Sequence, residues 1–467
     1  MSGRTAQLDG TPIAARIAAF IAGVDIKSLP EPMLKTCRML LQDVTGLIVA
    51  ARNTDYVEAA LASAVGRGPC SVIGHAVSVS AYDAALVNAT AAHGEDYDDT
   101  FEGGPVHAGA VIVPAVLAIA EQRGLSGHDV IRGLAVGVEI ICRMSLVAPQ
   151  ATHRAGFHPT AVMGAPAAAA AVAAALQLPA EQTTHALGIS ASLSSGIIEY
   201  LADGSSTKRL HAGAAAQSGI RAALLAEGGF TGPASVFEGE HGFYRAFAPS
   251  REPDYSQLLD GLGQRWVGAS LAFKPYACGT MTQPFIDCAV EAAQELEARG
   301  MSADRIESML CKVGEGTVHR LWEPLQRKHA PPNGYAGKFS TPYCIAVGLI
   351  DRRAGLEQFT DARARDPRLR ALASRVSYVV DPDNEYPRNF SGHLKLRLDD
   401  GSVIEIEKAQ LRGGAREPLS EQEIATKFAE NMRFGGVSAA FATQLHEAIA
   451  AIAAGGPVNF GTDKEQR

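Results

Sequence analysis

The chain has 467 residues, more than one hydrophobic core usually serves, so two domains are expected. Its 42 Lys and Arg against 50 Asp and Glu give a net charge of -8 with no long run of either sign, which argues against a nucleic-acid groove or a polybasic membrane patch and leaves room for a local cationic pocket. Seven scattered cysteines, an odd number with no Cys-x-x-Cys pair, suit reduced thiols in a cytoplasm and argue against a disulfide framework or a zinc ribbon.

Along the chain, residues 1–23 lack a basic start, a clean apolar core and a small-residue cleavage site, and read as no signal peptide. Stretches 31–52, 80–93, 108–124, 128–147, 160–177 and 208–227 are rich in Ala, Leu, Val and Ile, long enough for helices and poor in strand-like alternation. Residues 161–178 carry no charge and reach membrane-spanning length, but alanine drives insertion weakly, so a buried helix packed closely between others is expected.

The pattern changes after Trp266. Residues 280–299 and 338–351 predict helices, and 306–313 and 376–380 predict strands. Segments 393–398 and 403–408 alternate apolar and charged residues around Asp399-Asp400-Gly401, a hairpin signal. Ser420 and Glu423 form a capping box for a helix to about Arg433, and 439–453 ends the chain as helix before a polar, frayed tail at 461–467. The expected fold is mainly α: a helical domain over 1–265, to which 410–467 returns, and a smaller inserted α+β domain over 266–409.

The densest polar cluster runs His93-Gly94-Glu95-Asp96-Tyr97-Asp98-Asp99-Thr100 and is followed by His107. Four acids in five residues repel one another unless cations or donors face some of them. A calcium loop fails, because Phe101 stands at the sixth position from Asp96 where glycine is needed, and His107 stands at the twelfth where Glu is needed. A helix end with solvated acids fits equally well.

His153 and His158 lie five apart with Gly156 and Pro159 breaking the segment, which is poor spacing for a metal pair. Either one alone reads as structural or surface. Lys208 and Arg209 precede an Ala-rich helix, where cations oppose the macrodipole, so an anionic partner and an exposed basic loop are both open readings. No GxxxxGK[ST] is present, Gly261-Leu262-Gly263 meets Trp266 where a third glycine is needed, and Gly188-Ile189-Ser190-Ala191-Ser192 lacks the closing glycine of a nucleophile elbow.

Seven ordered segments resemble the MmgE/PrpD family: HGEDYDDT with His107, GFHPTAVMGA, STKRLHAGAAAQSG, KPYACGTMTQPFID, KFSTPYCIA, YPRNFSGHLKLRLDDG and EPLSEQEIATKF. Together they span about residues 10 to 455. The resemblance implies a large helical domain, a smaller α+β lid domain, a cytoplasmic homodimer, an active site between the two domains, and no metal or cofactor. It also implies a lyase that dehydrates or decarboxylates a small di- or tricarboxylic acid through a carbanion or enolate-like species. The alternatives are an epimerase of an iminodisuccinate-like acid, and a helical binding protein that kept the fold without catalysis.

By matching positions, the catalytic residues would be His158, His107, Lys208 and Asp96, with Thr100, Lys274 and Tyr343 binding substrate. His158 is the first choice for general acid/base and His107 the second, because imidazole titrates near neutral pH. Lys208 and Lys274 would receive developing negative charge, and Asp96 would orient a histidine or lysine. Two departures stand out: Ala108 follows His107 where many relatives carry proline, and Thr280 and Gln283 replace an Arg and a His. Losing a bidentate carboxylate clamp weakens the case for a heavily charged tricarboxylate.

Overall fold

The computed structural model describes residues 10–461, so all but the first residue of the expected frayed tail lies outside the described residues. The chain divides into two compact units. The first takes the chain up to Gly94, Asp98–Leu271 and the chain from Ile424 onward, and the second takes Glu95–Tyr97 and Ala272–Glu423. Mainly helical structure dominates: twenty-two α-helices and two small sheets occur among the described residues.

Among the described residues, the regular structure of the first unit is helical apart from a short hairpin, Cys70–Ser71 against Ser78–Val79, and a few isolated bridges. At its centre is the helix Pro159–Ala175, in which every residue is buried. Alanine makes this possible, since small side chains let neighbouring backbones close in without voids. Glycines on the facing helices complete the fit. A Cβ on Gly219 would stand 2.3 Å from Ala168 Cβ, and one on Gly137 would stand 2.7 Å from Ala171 Cβ. Among the described residues no helix is long and apolar enough to cross a membrane.

Local chemistry sets the helix ends. Ser126 Oγ accepts from Asp129 N at 3.3 Å while Asp129 Oδ2 accepts from Ser126 N at 3.1 Å, a reciprocal cap that starts Gly127–Val147. Within that helix, Arg143 Nε meets Glu139 Oε1 at 2.5 Å, and the same guanidinium donates to the carbonyls of Gln257, Asp260 and Arg265. This buried charge is fully paired, the condition under which it is tolerated, and it pins residues 257–268 to the helix. The returning helix is tied down likewise. Lys427 Nζ lies 2.8 Å from Asp43 Oδ1, and Arg52 Nε donates to Gly435 O at 2.7 Å.

The second unit holds a four-stranded sheet in the order Val376–Val380, Ile306–Val313, Gly392–Leu398, Val403–Lys408. The first pair is parallel and the others are antiparallel. A register shift between Ile306 and Ser308 explains why the burial alternation of that strand changes phase near its start. Helices Gln283–Ala298 and Thr341–Asp351 pack closely, since a Cβ on Gly348 would lie 2.8 Å from Ala289 Cβ. Both begin a few residues later than their sequence patterns suggest. A 3₁₀ turn at Thr280–Thr282 precedes the first, and Ser340 Oγ, accepting from Tyr343 N at 3.2 Å, caps the second.

Candidate active site

The helix Ala81–Gly94 is nearly all buried and ends on His93 and Gly94. Glycine lets the Tyr56 ring lie against the backbone there, since a Cβ at 94 would stand 2.2 Å from its hydroxyl and displace it. The chain then gives Glu95–Tyr97 to the second unit, through a left-handed Asp96 at φ 53°, and resumes in the first unit at Asp98.

This path resolves the four clustered acids, each of which finds its own partner. Asp98 Oδ2 lies 2.6 Å from His93 Nδ1, both side chains being fully buried. Asp99 accepts from Gly109 N at 2.9 Å, and burial, reinforced by the charge of Asp98, pushes its carboxyl up to about 8. In the second unit Asp96 Oδ2 accepts from the Tyr335 hydroxyl at 2.8 Å, and Glu95 is held by Lys338, whose Nζ meets both its carboxylate and its carbonyl.

His107 and His158 are the N-cap residues of Ala108–Arg123 and Pro159–Ala175. His107 Nδ1 lies 2.7 Å from the carbonyl of Asp99 and 3.5 Å from Asp98 Oδ1. A carbonyl only accepts, so Nδ1 carries the hydrogen and Nε2 of the neutral ring carries none. His93 is fixed in the same way by the carboxylate of Asp98. His158 is different: its Nδ1 faces Nδ1 of His211 at 3.2 Å.

The four rings are in contact. His93 stacks on His158 with centroids 5.5 Å apart, His107 lies 5.0 Å from His93, and His211 lies 5.3 Å from His158. Tyr200 sits against His158 and His211 at 6.2 and 5.7 Å. Burial is the main cause holding His158 well below the usual imidazole range, and the charges of His93, Lys208, His107 and His211 add to it. His211 is lowered to about 4 by burial, then by His93 and Lys208. The positive end of the helix dipole at His158 works in the same direction.

Lys208, half-buried in the first turn of Thr207–Glu227, therefore acts electrostatically on this cluster. Arg209 does something else. Its Nε donates to Gly94 O at 3.1 Å, satisfying a carbonyl at the C-terminus of the Ala81–Gly94 helix, and its guanidinium lies 4.7 Å from the centroid of the Tyr56 ring.

Of the sequence-derived positions, the first unit thus groups His107, His158 and Lys208, with Thr100 buried in the loop after Asp99. The second unit groups Asp96 and Lys274, whose buried Nζ donates to the Asp96 carbonyl at 2.8 Å. Tyr343 is fully buried in that unit with its hydroxyl donating to Gln358 O at 2.9 Å, whereas Tyr335 is the phenol that meets Asp96. Sequence reasoning did not select His93, Asp98, His211, Tyr335 or Lys338. The signal available for the first three was their presence inside the same polar segments as the chosen residues.

His93, Asp98 and His107 bring one ligand-type atom each to within 4.8 Å of one another, a group that chain spacing alone did not disclose. Two ligands of one tetrahedral zinc, at about 2.0–2.1 Å each, stand about 3.3 Å apart. The 2.6 Å between His93 Nδ1 and Asp98 Oδ2 is instead the length of a charge-assisted hydrogen bond, so this arrangement fits an N–H donated to the carboxylate and would have to spread to take an ion.

The MmgE/PrpD N-terminal domain matches residues 15–256, and the MmgE/PrpD C-terminal domain matches residues 276–450. The chain is 29% identical over 445 residues to a cis-aconitate decarboxylase of Aspergillus terreus, covering 89% of this chain and 88% of the relative. It is 29% identical over 362 residues to the cis-aconitate decarboxylase of Homo sapiens, covering 74% and 72%. To a mitochondrial 2-methylcitrate dehydratase of Yarrowia lipolytica it is 25% identical over 345 residues, covering 68% and 64%. With both domains matched in order over most of its length, the chain belongs to the MmgE/PrpD family.

Proposed function

We propose that the chain is a lyase that decarboxylates or dehydrates a small di- or tricarboxylic acid, with His158 and His107 as its general acid/base groups. The observation that carries this reading is the contact group of His93, His107, His158 and His211 beside Lys208. It holds an unprotonated imidazole nitrogen on His107 and a His158 ring kept neutral near pH 7, with the Lys208 cation acting on it. Relatives named as cis-aconitate decarboxylases and a 2-methylcitrate dehydratase support the same class of reaction and substrate.

In a decarboxylation the bond to the departing carboxylate breaks, and its electron pair stays on carbon, conjugated with a neighbouring carboxylate. Lys208 stabilises that charge and the Nε2–H of His158 delivers the proton. In a dehydration His107 Nε2 removes the proton beside the carboxylate and His158 protonates the departing hydroxyl. Lys274, Thr100 and Tyr343 are proposed as substrate-binding positions, and Asp96 as a catalytic one, on family grounds. So are a homodimer, a cytoplasmic location, and turnover without metal or cofactor.

Incubation with aconitate-like, citrate-like and aminodicarboxylate acids in deuterated water, followed by NMR, tests the reading. Loss of CO₂ or water with deuterium at the new C–H position supports it. Exchange with inversion and no loss of atoms would replace it with the epimerase. Binding without turnover of any acid would leave a non-catalytic protein.

A further inference from the structure

Among the four clustered histidines, two have a settled hydrogen position. His93 Nδ1 faces a carboxylate and His107 Nδ1 faces a carbonyl, so each carries its hydrogen on Nδ1. The contact between His158 Nδ1 and His211 Nδ1 imposes a different rule. Two lone pairs at 3.2 Å repel and two N–H groups collide, so one hydrogen lies between the two neutral rings. If His158 holds it, His158 Nε2 is bare and acts only as a base. If His211 holds it, His158 carries its hydrogen on Nε2 and acts as an acid. The hydrogen position on His211 therefore decides which of these His158 is.

Nearby residues hold the pair in this relation. His158 N donates to Gly196 O at 2.9 Å, and a Cβ on Gly196, whose φ is +116°, would stand 2.5 Å from Ala161 Cβ and 3.4 Å from the His211 ring. The backbone thus anchors one ring and leaves room for the other.

We propose that His211 is a positioning and proton-relay residue: in the resting protein its Nδ1–H points at His158 Nδ1, which keeps the hydrogen of His158 on Nε2, ready for donation. This rests on the reading above in which His158 protonates the reacting species. The relay balances. When His158 gives its Nε2 proton to the substrate, its Nδ1 takes the proton from His211 Nδ1, and His211 takes one at Nε2 from water, leaving hydroxide. Both rings end neutral with their tautomers exchanged, and the proton that a decarboxylation consumes has come from solvent. No imidazolium accumulates, in keeping with a site that disfavours charge on either ring.

The test is ¹⁵N NMR of ring-labelled protein without substrate, with His158 assigned by its disappearance in His158→Asn. The expected spectrum shows His158 protonated on Nε2 and bare on Nδ1 in wild type. The same pattern should persist in His211→Asn, whose amide can still donate, and reverse in His211→Asp, whose carboxylate can only accept. A wild-type His158 protonated on Nδ1, or a tautomer unchanged in His211→Asp, overturns the proposal; the wild-type spectrum suffices if a variant does not fold. On the identified substrate, His211→Asn should lower kcat at least tenfold with KM within threefold, because it positions but does not relay. Wild-type kcat in His211→Phe would also overturn it. Failure of every acid to turn over would defeat the proposed lyase while leaving the tautomer measurement to decide on its own terms.

Discussion

His93 Nδ1 stands 2.6 Å from Asp98 Oδ2, and neither side chain is exposed to solvent. Asp98→Ala leaves the His93 donor buried without this acceptor, so a loss of about 1–3 kcal/mol of stability is expected, read by urea unfolding. A stability equal to wild type would show that the pair contributes nothing to folding.

Lys208 and Arg209 are adjacent in sequence yet have different surroundings. Lys208→Met keeps the aliphatic stem and removes the charge beside His158 and His211, so kcat should fall by about 10²-fold, the effect of losing one preorganised charge-stabilising group, with little change in stability. Arg209→Met loses the Gly94 carbonyl and the Tyr56 ring, so it should cost about 1 kcal/mol of stability and leave kcat near wild type. Equal kinetic effects from the two substitutions would remove Lys208 from the catalytic group.

Opposed shifts inside one unit shape the pH response. His211 is depressed from 6.5 to about 4, so the unfolded chain binds the extra proton and stability is lost as pH falls from about 6.5 toward 4; His158 acts in the same direction. Asp99 is raised from 3.8 to about 8, so the folded chain holds the extra proton and its contribution is lost as pH rises through 8. Together these three groups place a stability maximum near pH 6.5. Unfolding free energies measured from pH 5 to 8.5 should show it, and Asp99→Asn should flatten the alkaline side. An unchanged alkaline slope in that variant would show that Asp99 is ionised in the folded protein.

Exhaustive chelation should leave turnover intact, since the shortest contact within the His93, Asp98 and His107 group has hydrogen-bond length and an ion needs wider ligand spacing. Activity lost to the chelator and restored by one divalent ion would assign that group to a metal.

Much of the fold is legible in the sequence because long apolar runs, a serine cap and a turn between alternating segments each act locally. The helix Ala180–Ser192 is less visible, since Glu181, Gln182, Thr183, Thr184 and His185 open it with polar residues that tertiary packing overrides. Ile13–Ala22 buries Ile13, Ile17 and Ile21 at helical spacing, but a short segment near the chain start gives little periodicity to read. The site divides along similar lines. His107, His158 and Lys208 lie in segments that resemble the family, whereas the His158 to His211 contact joins residues 53 apart and depends on how two helices meet. Asp96 was expected to orient a histidine or lysine. Its carbonyl receives Lys274 Nζ and its carboxylate the hydroxyl of Tyr335, 178 and 239 residues away, contacts within the second unit that no local pattern discloses.

The buried helix headed by His158 is built largely from alanine, a residue with no rotamers to lose on folding or to regain on warming. Its neighbours therefore register largely against backbone and methyl groups, with the Thr160 hydroxyl accepting from His107 N at its head, and most of its length offers no side-chain torsions through which thermal motion could spread. A histidine mounted there is expected to keep its aim as temperature rises, until the helices around it separate.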